Sequence, residues 1–453
     1  MAHITTIVLA AGDGTRMRSS LPKLLHPVAG MPIVGHVVHA AKDAGSDTIV
    51  GVTAPNRQDV QDLIRSIAPD AQLFEQSERL GTAHAAQTAR PVWQNAAGIV
   101  AVVYGDHPLL HGDIFTRVFE QLEAGWDACI LGFQPQDPTG YGRFIVEEDR
   151  LLDIVEHKDA SAEQREITLC NACILAFKAD AFRQTINRVK NDNAQGEFYL
   201  TDVVKLANLA GLKVTYALAP ENDVMGVNSR TQLAAAEGIY QQRLRNKAME
   251  NGATLRDPAT TYFSHDTKIG RDVTIEPGVV FGPGVTVHDD VYIKAYSHIE
   301  GATISSGAIV GPFARLRPGA QLAENSKVGN FCEVKNAQIA EGAKVSHLSY
   351  VGDATIGANA NIGAGTITCN YDGFNKSHTH IGEGAFIGSN TALVAPVSIG
   401  ARAIVAAGST IVRDVKADEL ALTRADQSNR SGYAPKLRAR AQAKKNKNSK
   451  KQG

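Results

Sequence analysis

Three things are scarce in this chain. It has five cysteines in 453 residues, an odd count in a long chain, which speaks against a disulfide framework and for a reducing compartment. Excess charge is missing as well: 46 Lys and Arg stand against 47 Asp and Glu, a formal net charge of -1. No overall basic field therefore points to nucleic acid or a membrane surface, and small molecules are the expected partners. Long apolar runs are also absent, the runs in the first part of the chain being as short as Ile99 to Val103. Residues 4–9 run straight into a glycine-rich turn instead of a small-residue cleavage site. Neither a signal peptide nor membrane insertion is expected, and the chain is assigned to the cytoplasm. The one CxxC, Cys170 and Cys173, has no further pair of ligands at zinc spacing, and Leu169-Cys-Asn-Ala-Cys-Ile-Leu reads as a buried strand carrying core cysteines.

What is present is a beat of six. Aliphatic or aromatic residues stand at Ile269, Ile275, Phe281, Val287, Ile293, Ile299, then Ile304, Val310, Leu316, Leu322, Val328 and Val334. After steps of five at Ile339 and Ile356 and a break between Ile362 and Ile381, the beat resumes at Ile387, Leu393, Ile399, Val405 and Ile411. A period of six is neither the 3.6 of a helix nor simple strand alternation; it marks a β-helix of hexapeptide repeats. Each short strand points one apolar residue inward to stack on the next coil, and small residues such as Gly357-Ala-Asn fill the turns. A bare scaffold is the alternative reading of such a solenoid.

The preceding 230 residues alternate strands (Ile4–Leu9, Thr48–Val52, Ile99–Val103, Ala128–Phe133) with helices near 32–44, 57–67 and 113–124. This predicts an α/β domain with a mostly parallel sheet, whose ligands bind at the carboxyl ends of the strands. Residues 231–251, with Leu233, Ile239, Tyr240, Leu244 and Met249 at helical spacing, predict a linking helix between a domain over 1–230 and a second over 252–453. From about Lys436 the composition of Lys, Arg, Ala, Asn and Gln predicts a disordered, solvated basic tail.

The strand Ile4–Leu9 leads into Ala10-Ala11-Gly12-Asp13-Gly14-Thr15-Arg16-Met17, with Pro22-Lys23 following. Glycines after a first strand let backbone N–H groups approach phosphates, and Arg16 and Lys23 would neutralise them. Met17 in the sixth position excludes a GxGxxG fingerprint, and there is no GKS/T. The whole string resembles the signature of sugar-1-phosphate nucleotidylyltransferases, which implies a Rossmann-like nucleotidyltransferase domain. The resemblance places Leu9, Ala10, Ala11, Gly12 and Lys23 on the nucleotide, makes Gln76 with Leu80-Gly81-Thr82 the uracil-reading segment, and adds Tyr104, Gly105 and Asp106 at the end of a strand. An aspartate so placed suits Mg²⁺, and the resemblance supplies Asn228 as its partner. Gly142, Glu156, Asn171 and Thr201 are implied as sugar and nucleotide contacts, although Glu156 read alone could be a solvated surface charge. A sugar phosphate, with a second pKa near ~6, is already an anionic nucleophile, so in-line attack on a nucleotide α-phosphorus needs alignment and charge neutralisation instead of a general base. Two departures stand out: Ala172-Cys173 follows Asn171 where Thr-Gly or a similar pair is expected, and Asp13 occupies a position where relatives often carry Lys. Pointing inward, Asp13 would weaken nucleotide binding.

Inside the solenoid, Gly311-Pro-Phe-Ala-Arg-Leu-Arg317 is followed one coil later by Glu333-Val-Lys335, then by Ser346-His347-Leu-Ser-Tyr350 and by Asn361 to Lys376. Charges on adjacent coils are costly unless solvent or a ligand meets them. An amine attacking a thioester sheds a proton, and a histidine with a pKa near ~6.5 suits that proton. These segments match, nearly letter for letter, the bacterial bifunctional N-acetylglucosamine-1-phosphate uridylyltransferases/glucosamine-1-phosphate N-acetyltransferases. With the first domain the resemblance covers residues 3 to about 430. It implies a left-handed parallel β-helix, a homotrimer packed through it, and Mg²⁺, acetyl-CoA and UTP as cofactor and substrates of UDP-N-acetylglucosamine synthesis for peptidoglycan and lipopolysaccharide. It makes His347 the base, puts Arg317, Lys335, Tyr350 and Asn361 on the sugar phosphate and Lys376 near the reacting centre, and brings Ala364, Asn370, Tyr371, Ser389, Ala407 and Arg424 to acetyl-CoA. The loop after Thr366 is like the family's arm to a neighbouring subunit, and Glu333 is expected to orient His347. The rival readings are a monofunctional sugar-1-phosphate nucleotidylyltransferase with a structural or regulatory β-helix, and a non-catalytic interaction subunit.

Overall fold

The computed structural model describes residues 2–12 and 14–449, so the expectation for Asp13 lies outside the described residues. The chain divides into two compact units, Met1–Thr267 with Val280–Gly284, and Lys268–Val279 with Val285–Gly453.

In the first unit, β1 (Ile4–Ala10) precedes α1 (Ile33–Asp43), β2 (Thr48–Thr53), α2 (Gln58–Ile67), β3 (Gln72–Glu75) and β4 (Ile99–Tyr104). Then come α3 (Gly112–Glu123), β5 (Ala128–Phe133), the hairpin β6 (Arg143–Glu147) and β7 (Arg150–Val155), β8 (Cys170–Lys178) and β9 (Val214–Leu218). The central sheet has the order β9-β5-β8-β4-β1-β2-β3. Its inner strands are apolar on both faces because each face carries its own core: Val8, Ala101 and Val103 enter one, Ile7, Val100 and Val102 the other. The sheet is parallel except for β8, which runs antiparallel between β4 and β5. Within β8 the register slips between Asn171 and Leu175, a bulge that re-aims Asn171.

The helix expected near 231–251 is α4 (Arg230–Glu250). It is built into the first unit. Arg243 donates to the Leu109 carbonyl at 2.6 Å, Gln241 exchanges two hydrogen bonds with the Phe263 backbone, and the Arg245 Nε donates to the Thr261 carbonyl. The first compact unit runs past the boundaries expected at 230 and 251 to Thr267, and the buried Gln241 and Arg245 tie that last segment to it.

The second unit is a three-faced solenoid of two- to seven-residue parallel strands. One face stacks Ile293, Val310, Val328, Val345, Ile362, Ile387 and Val405 in register. The next stacks Ile299, Leu316, Val334 and Val351, and the third Val287, Ile304, Leu322, Ile339, Ile356, Ile381 and Ile399. All of these side chains are buried. In the coil where the beat breaks, the inward place on the second face goes to Thr368, whose hydroxyl accepts from the Gly352 N–H at 2.8 Å and donates to the Gly352 carbonyl at 3.0 Å. Within the basic tail, the described residues Tyr433–Ser449 form α5, since Ala, Lys, Arg and Gln are strong helix formers even with no core to join; residues 450–453 of that tail lie outside the described residues. Its described side chains are exposed. Among the described residues no helix is long and apolar enough to cross a membrane.

Candidate functional sites

The turn after β1 is shaped by Gly14. Its φ is +64°, and a Cβ there would lie 2.3 Å from Lys23 Cβ, so the lysine stem lies across the turn only because that position is glycine. Lys23 is buried, and its ammonium donates to Asp106 Oδ2 at 2.6 Å and to Asn228 Oδ1 at 2.9 Å. Asp106 follows β4, and Asn228 stands two residues before α4, so three segments far apart in sequence meet at one cation. Burial by itself would raise the Asp106 pKa, but His107 and Lys23 outweigh it and hold the carboxyl well below the usual range. The other carboxylate oxygen, Oδ1, is buried with His107 Nδ1 2.8 Å away. An ionised carboxylate beside an amide oxygen, both now turned to a lysine ammonium, is a fitting seat for a hard divalent cation such as Mg²⁺.

Two cavities open at this point. The first, about 290 Å³, is lined by Leu9, Ala11, Gly12, Lys23, Gln76, Gly81, Thr82, Tyr104 and Asp106, with Arg79 and Glu197. Gln76 donates to the Gly81 carbonyl at 3.2 Å. The second, about 320 Å³, is lined by Arg16, Asp106, Gly142, Glu156, Asn171, Ala172 and Asn228, with His107 and Tyr141. Ala10 and Gly105 line neither. Glu156 is not a free surface charge: burial raises its pKa, and it accepts from the Thr201 hydroxyl at 3.0 Å. Asn171 donates its backbone N–H to the Gly142 carbonyl, and its buried Oδ1 has no partner among the described residues. Small Ala172 lines the same cavity, and Cys173 turns into the core.

On the solenoid, Asn330, His347, Ala364, Ser389 and Ala407 each lie two residues beyond an inward residue of the first face. They form one corner column, knit by Leu348 N to Asn330 O, Gly365 N to His347 O, Asn390 N to Ala364 O and Gly408 N to Ser389 O. Arg424 closes the column by donating to the Ala407 carbonyl at 2.7 Å. His347 is exposed, and its Nδ1 lies 2.7 Å from Asn330 Oδ1. An amide oxygen only accepts, so Nδ1 carries the proton and Nε2 presents its lone pair.

Around the corner, on the second face, Glu333 and Tyr350 stand in register. The expectation that Glu333 orients His347 is corrected here: Glu333 accepts from Arg317 Nη1 at 2.8 Å, a full positive charge one coil away, while Asn330 takes the imidazole. Lys335 has a lowered pKa, chiefly through Lys376 and then Arg317, so three cations crowd one exposed spot. Asn370 donates to Asp353. Tyr371 and Lys376 bridge the base of a protruding loop that carries Phe374, 91% exposed. Asn361 is set apart from the cations, on the first face in register with Lys344 and Phe386.

Sequence reading passed over His107 and Asn330. Stepping back one 17-residue coil from His347 leads to Asn330, whereas His107 is recognised only in three dimensions.

Among known proteins, the model of a MobA-like NTP transferase domain matches residues 6–169, and that of the bacterial transferase hexapeptide (six repeats) matches 266–301 and 378–413. A protein of Rhodospirillum rubrum described as "Bifunctional protein GlmU" is 53% identical over 97% of this chain and 98% of its own length. A protein of the same description from Paramagnetospirillum magneticum is 50% identical over 98% of both. The solved UDP-glucose pyrophosphorylase complexed with UDP-glucose covers 53% of the chain with a TM-score of 0.44 at 18% identity.

Proposed function

The chain belongs to the GlmU family of bifunctional proteins and makes UDP-N-acetylglucosamine, and we propose that it divides the work between the two sites above. Glucosamine-1-phosphate is acetylated at the His347 corner, and UTP and N-acetylglucosamine-1-phosphate react in the paired cavities of the first unit.

At the corner, the crowded cations Arg317, Lys335 and Lys376 hold the sugar phosphate, with Tyr350 beside them. The column Ala364, Ser389, Ala407 and Arg424 guides acetyl-CoA toward His347. The substrate amine attacks the thioester carbonyl; the new N–C bond forms, the C–S bond breaks, CoA leaves, and His347 Nε2 takes the amine proton. The exposed ladder Tyr296, Phe313, Phe331, stacked at 5.1 and 5.2 Å and continued by Leu348, supports a homotrimer in which neighbouring copies cover this apolar strip. The exposed Tyr371 and Phe374 fit an arm reaching such a neighbour, and Asn361 and Asn370 complete the shared site. All five cysteines are free, which fits the cytoplasm.

In the first unit, Gln76, Gly81 and Thr82 receive the base, the turn Leu9 to Gly12 the phosphates, and Gly142, Glu156, Asn171 and Thr201 the sugar. Mg²⁺ bound by Asp106 and Asn228 would neutralise phosphate charge. Lys23, freed from those two oxygens, turns to the phosphates together with Arg16. The sugar phosphate oxygen attacks the α-phosphorus, and pyrophosphate leaves.

The observation that carries this reading is the contact of buried Lys23 with Asp106 and Asn228 in one unit together with the His347–Asn330 pair in the other. One mixture tests it: protein, Mg²⁺, UTP, acetyl-CoA and glucosamine-1-phosphate, assayed for CoA and pyrophosphate. Both should appear, which excludes the monofunctional and non-catalytic rivals. Asp106→Ala should lower pyrophosphate release by about 10²-fold or more while leaving CoA release within about twofold. Joint loss in a folded variant would overturn the division.

A further inference from the structure

His107 lies between the two segments that carry the cation-binding oxygens, and the reaction as derived gives it no role. It is buried, with Nδ1 2.8 Å from Asp106 Oδ1. Among the described residues neither atom has any other polar partner, so the imidazole and the carboxylate oxygen face each other alone. On its other side the ring presses on Gly226, where a Cβ would lie 3.0 Å from Nε2 and 3.2 Å from Cε1. No larger residue fits there without moving the ring. Gly226 is two residues before Asn228, and the Val227 N–H donates to the Asp106 carbonyl at 2.9 Å. One rigid imidazole therefore spans from the Asp106 carboxylate to the backbone that carries Asn228.

We propose that His107 is a positioning residue: it fixes the rotamer of Asp106 and the separation between Asp106 and Asn228 at which both oxygens hold one divalent cation. This rests on the uridylyl-transfer reading of the site. A carboxylate has two oxygens and a freely turning χ2. Lys23 occupies Oδ2 from one side, and among the described residues His107 is the polar side chain that stands against Oδ1 on the other. When Lys23 leaves for the phosphates, the imidazole is the contact that remains. A two-oxygen site has no spare ligand to absorb misalignment, and partners that orient metal ligands typically control about 10–100-fold in affinity.

The test uses the full chain with UDP-N-acetylglucosamine bound and Mn²⁺ as a paramagnetic probe titrated by EPR. His107→Leu keeps the bulk against Gly226 and removes Nδ1; Mn²⁺ binding should weaken about tenfold or more, and the Mg²⁺ concentration giving half-maximal pyrophosphate release should rise in step. His107→Asn, which returns a nitrogen to the place of Nδ1, should recover to within about threefold of native, whereas a purely space-filling role predicts the reverse order. Gly226→Ala approaches from the opposite side and should weaken Mn²⁺ as His107→Leu does. Native Mn²⁺ affinity in His107→Leu, or His107→Asn no better than His107→Leu, would overturn the proposal. Fluorescence of Trp93 and Trp126, both in the first unit, serves as the folding control. Failure of the native protein to release pyrophosphate would instead sink the uridylyl-transfer reading itself.

Discussion

At His347 a single amide decides which nitrogen is free to act. Asn330 Oδ1, 2.7 Å from Nδ1, selects the tautomer whose Nε2 accepts a proton. Asn330→Leu should therefore lower kcat for acetyl transfer by roughly 10-fold or more, with KM for glucosamine-1-phosphate little changed, and Asn330→Asp, which still accepts, should restore most of it; His347→Ala should lose about 10²–10⁴-fold. Stopped-assay CoA release for the four proteins checks this, and equal kcat in Asn330→Leu and native would assign Asn330 to the corner turn alone. At this scale the sequence was legible where a residue type is chemically unusual for its place, as with Lys23 beside a glycine turn or His347 among cations. It was silent where identity depends on a distant neighbour: nothing near His107 announces Gly226, and nothing near Glu333 says that Arg317 will outcompete His347.

Among the elements, the packing of α1 against α4 is sensitive to pH. His36 of α1 is buried with its ring 4.6 Å from that of Tyr240 in α4 and Nε2 2.9 Å from the Val28 carbonyl. Burial, with smaller repulsion from His265 and His39, lowers its pKa from 6.5 to about 4. The unfolded chain takes up a proton below 6.5 that the folded chain refuses until about 4. The stability His36 contributes is therefore complete above pH 6.5 and is lost as pH falls through that window, by about 2 kcal/mol at pH 5. Both tryptophans, Trp93 and Trp126, lie in the first unit, so urea titrations followed by their fluorescence report on it. The fall in stability from pH 7 to 5 should be smaller by that amount in His36→Phe; an unchanged fall would place the acid sensitivity elsewhere. Elements were readable from sequence when their side chains face one environment: the solenoid's apolar beat shows because each strand buries one residue. Thr368 hid from that pattern because the Gly352 backbone satisfies a hydroxyl in an apolar column, and the tail hid because polar composition reads as disorder although the same residues favour a helix.

For the whole molecule, the question is where one enzyme stops and the other begins. The composition change near residue 230 points to a cut there, but α4 and the segment to Thr267 belong to the first compact unit, as do Val280–Gly284, with Phe281 stacked on Phe263 at 5.1 Å. A chain ending at residue 235 would lose Arg243 from the Leu109 carbonyl and from Asp223, 2.5 Å away. It would also lose the Gln241 pair with Phe263. A chain ending at Gly284 keeps every one of these contacts along with Lys23, Asp106 and Asn228. The longer fragment should fold and release pyrophosphate from UTP and N-acetylglucosamine-1-phosphate at near the full-length rate, while making no CoA. The shorter one should melt at least about 5 °C lower by tryptophan fluorescence, since two or more buried polar pairs are broken and each kcal/mol shifts a domain of this size by about 2–4 °C. Equal melting of the two fragments would show that α4 beyond residue 235 is only a connector. A folded longer fragment that releases no pyrophosphate would show that the first unit draws on the solenoid for its chemistry, and that the two activities share more than a chain.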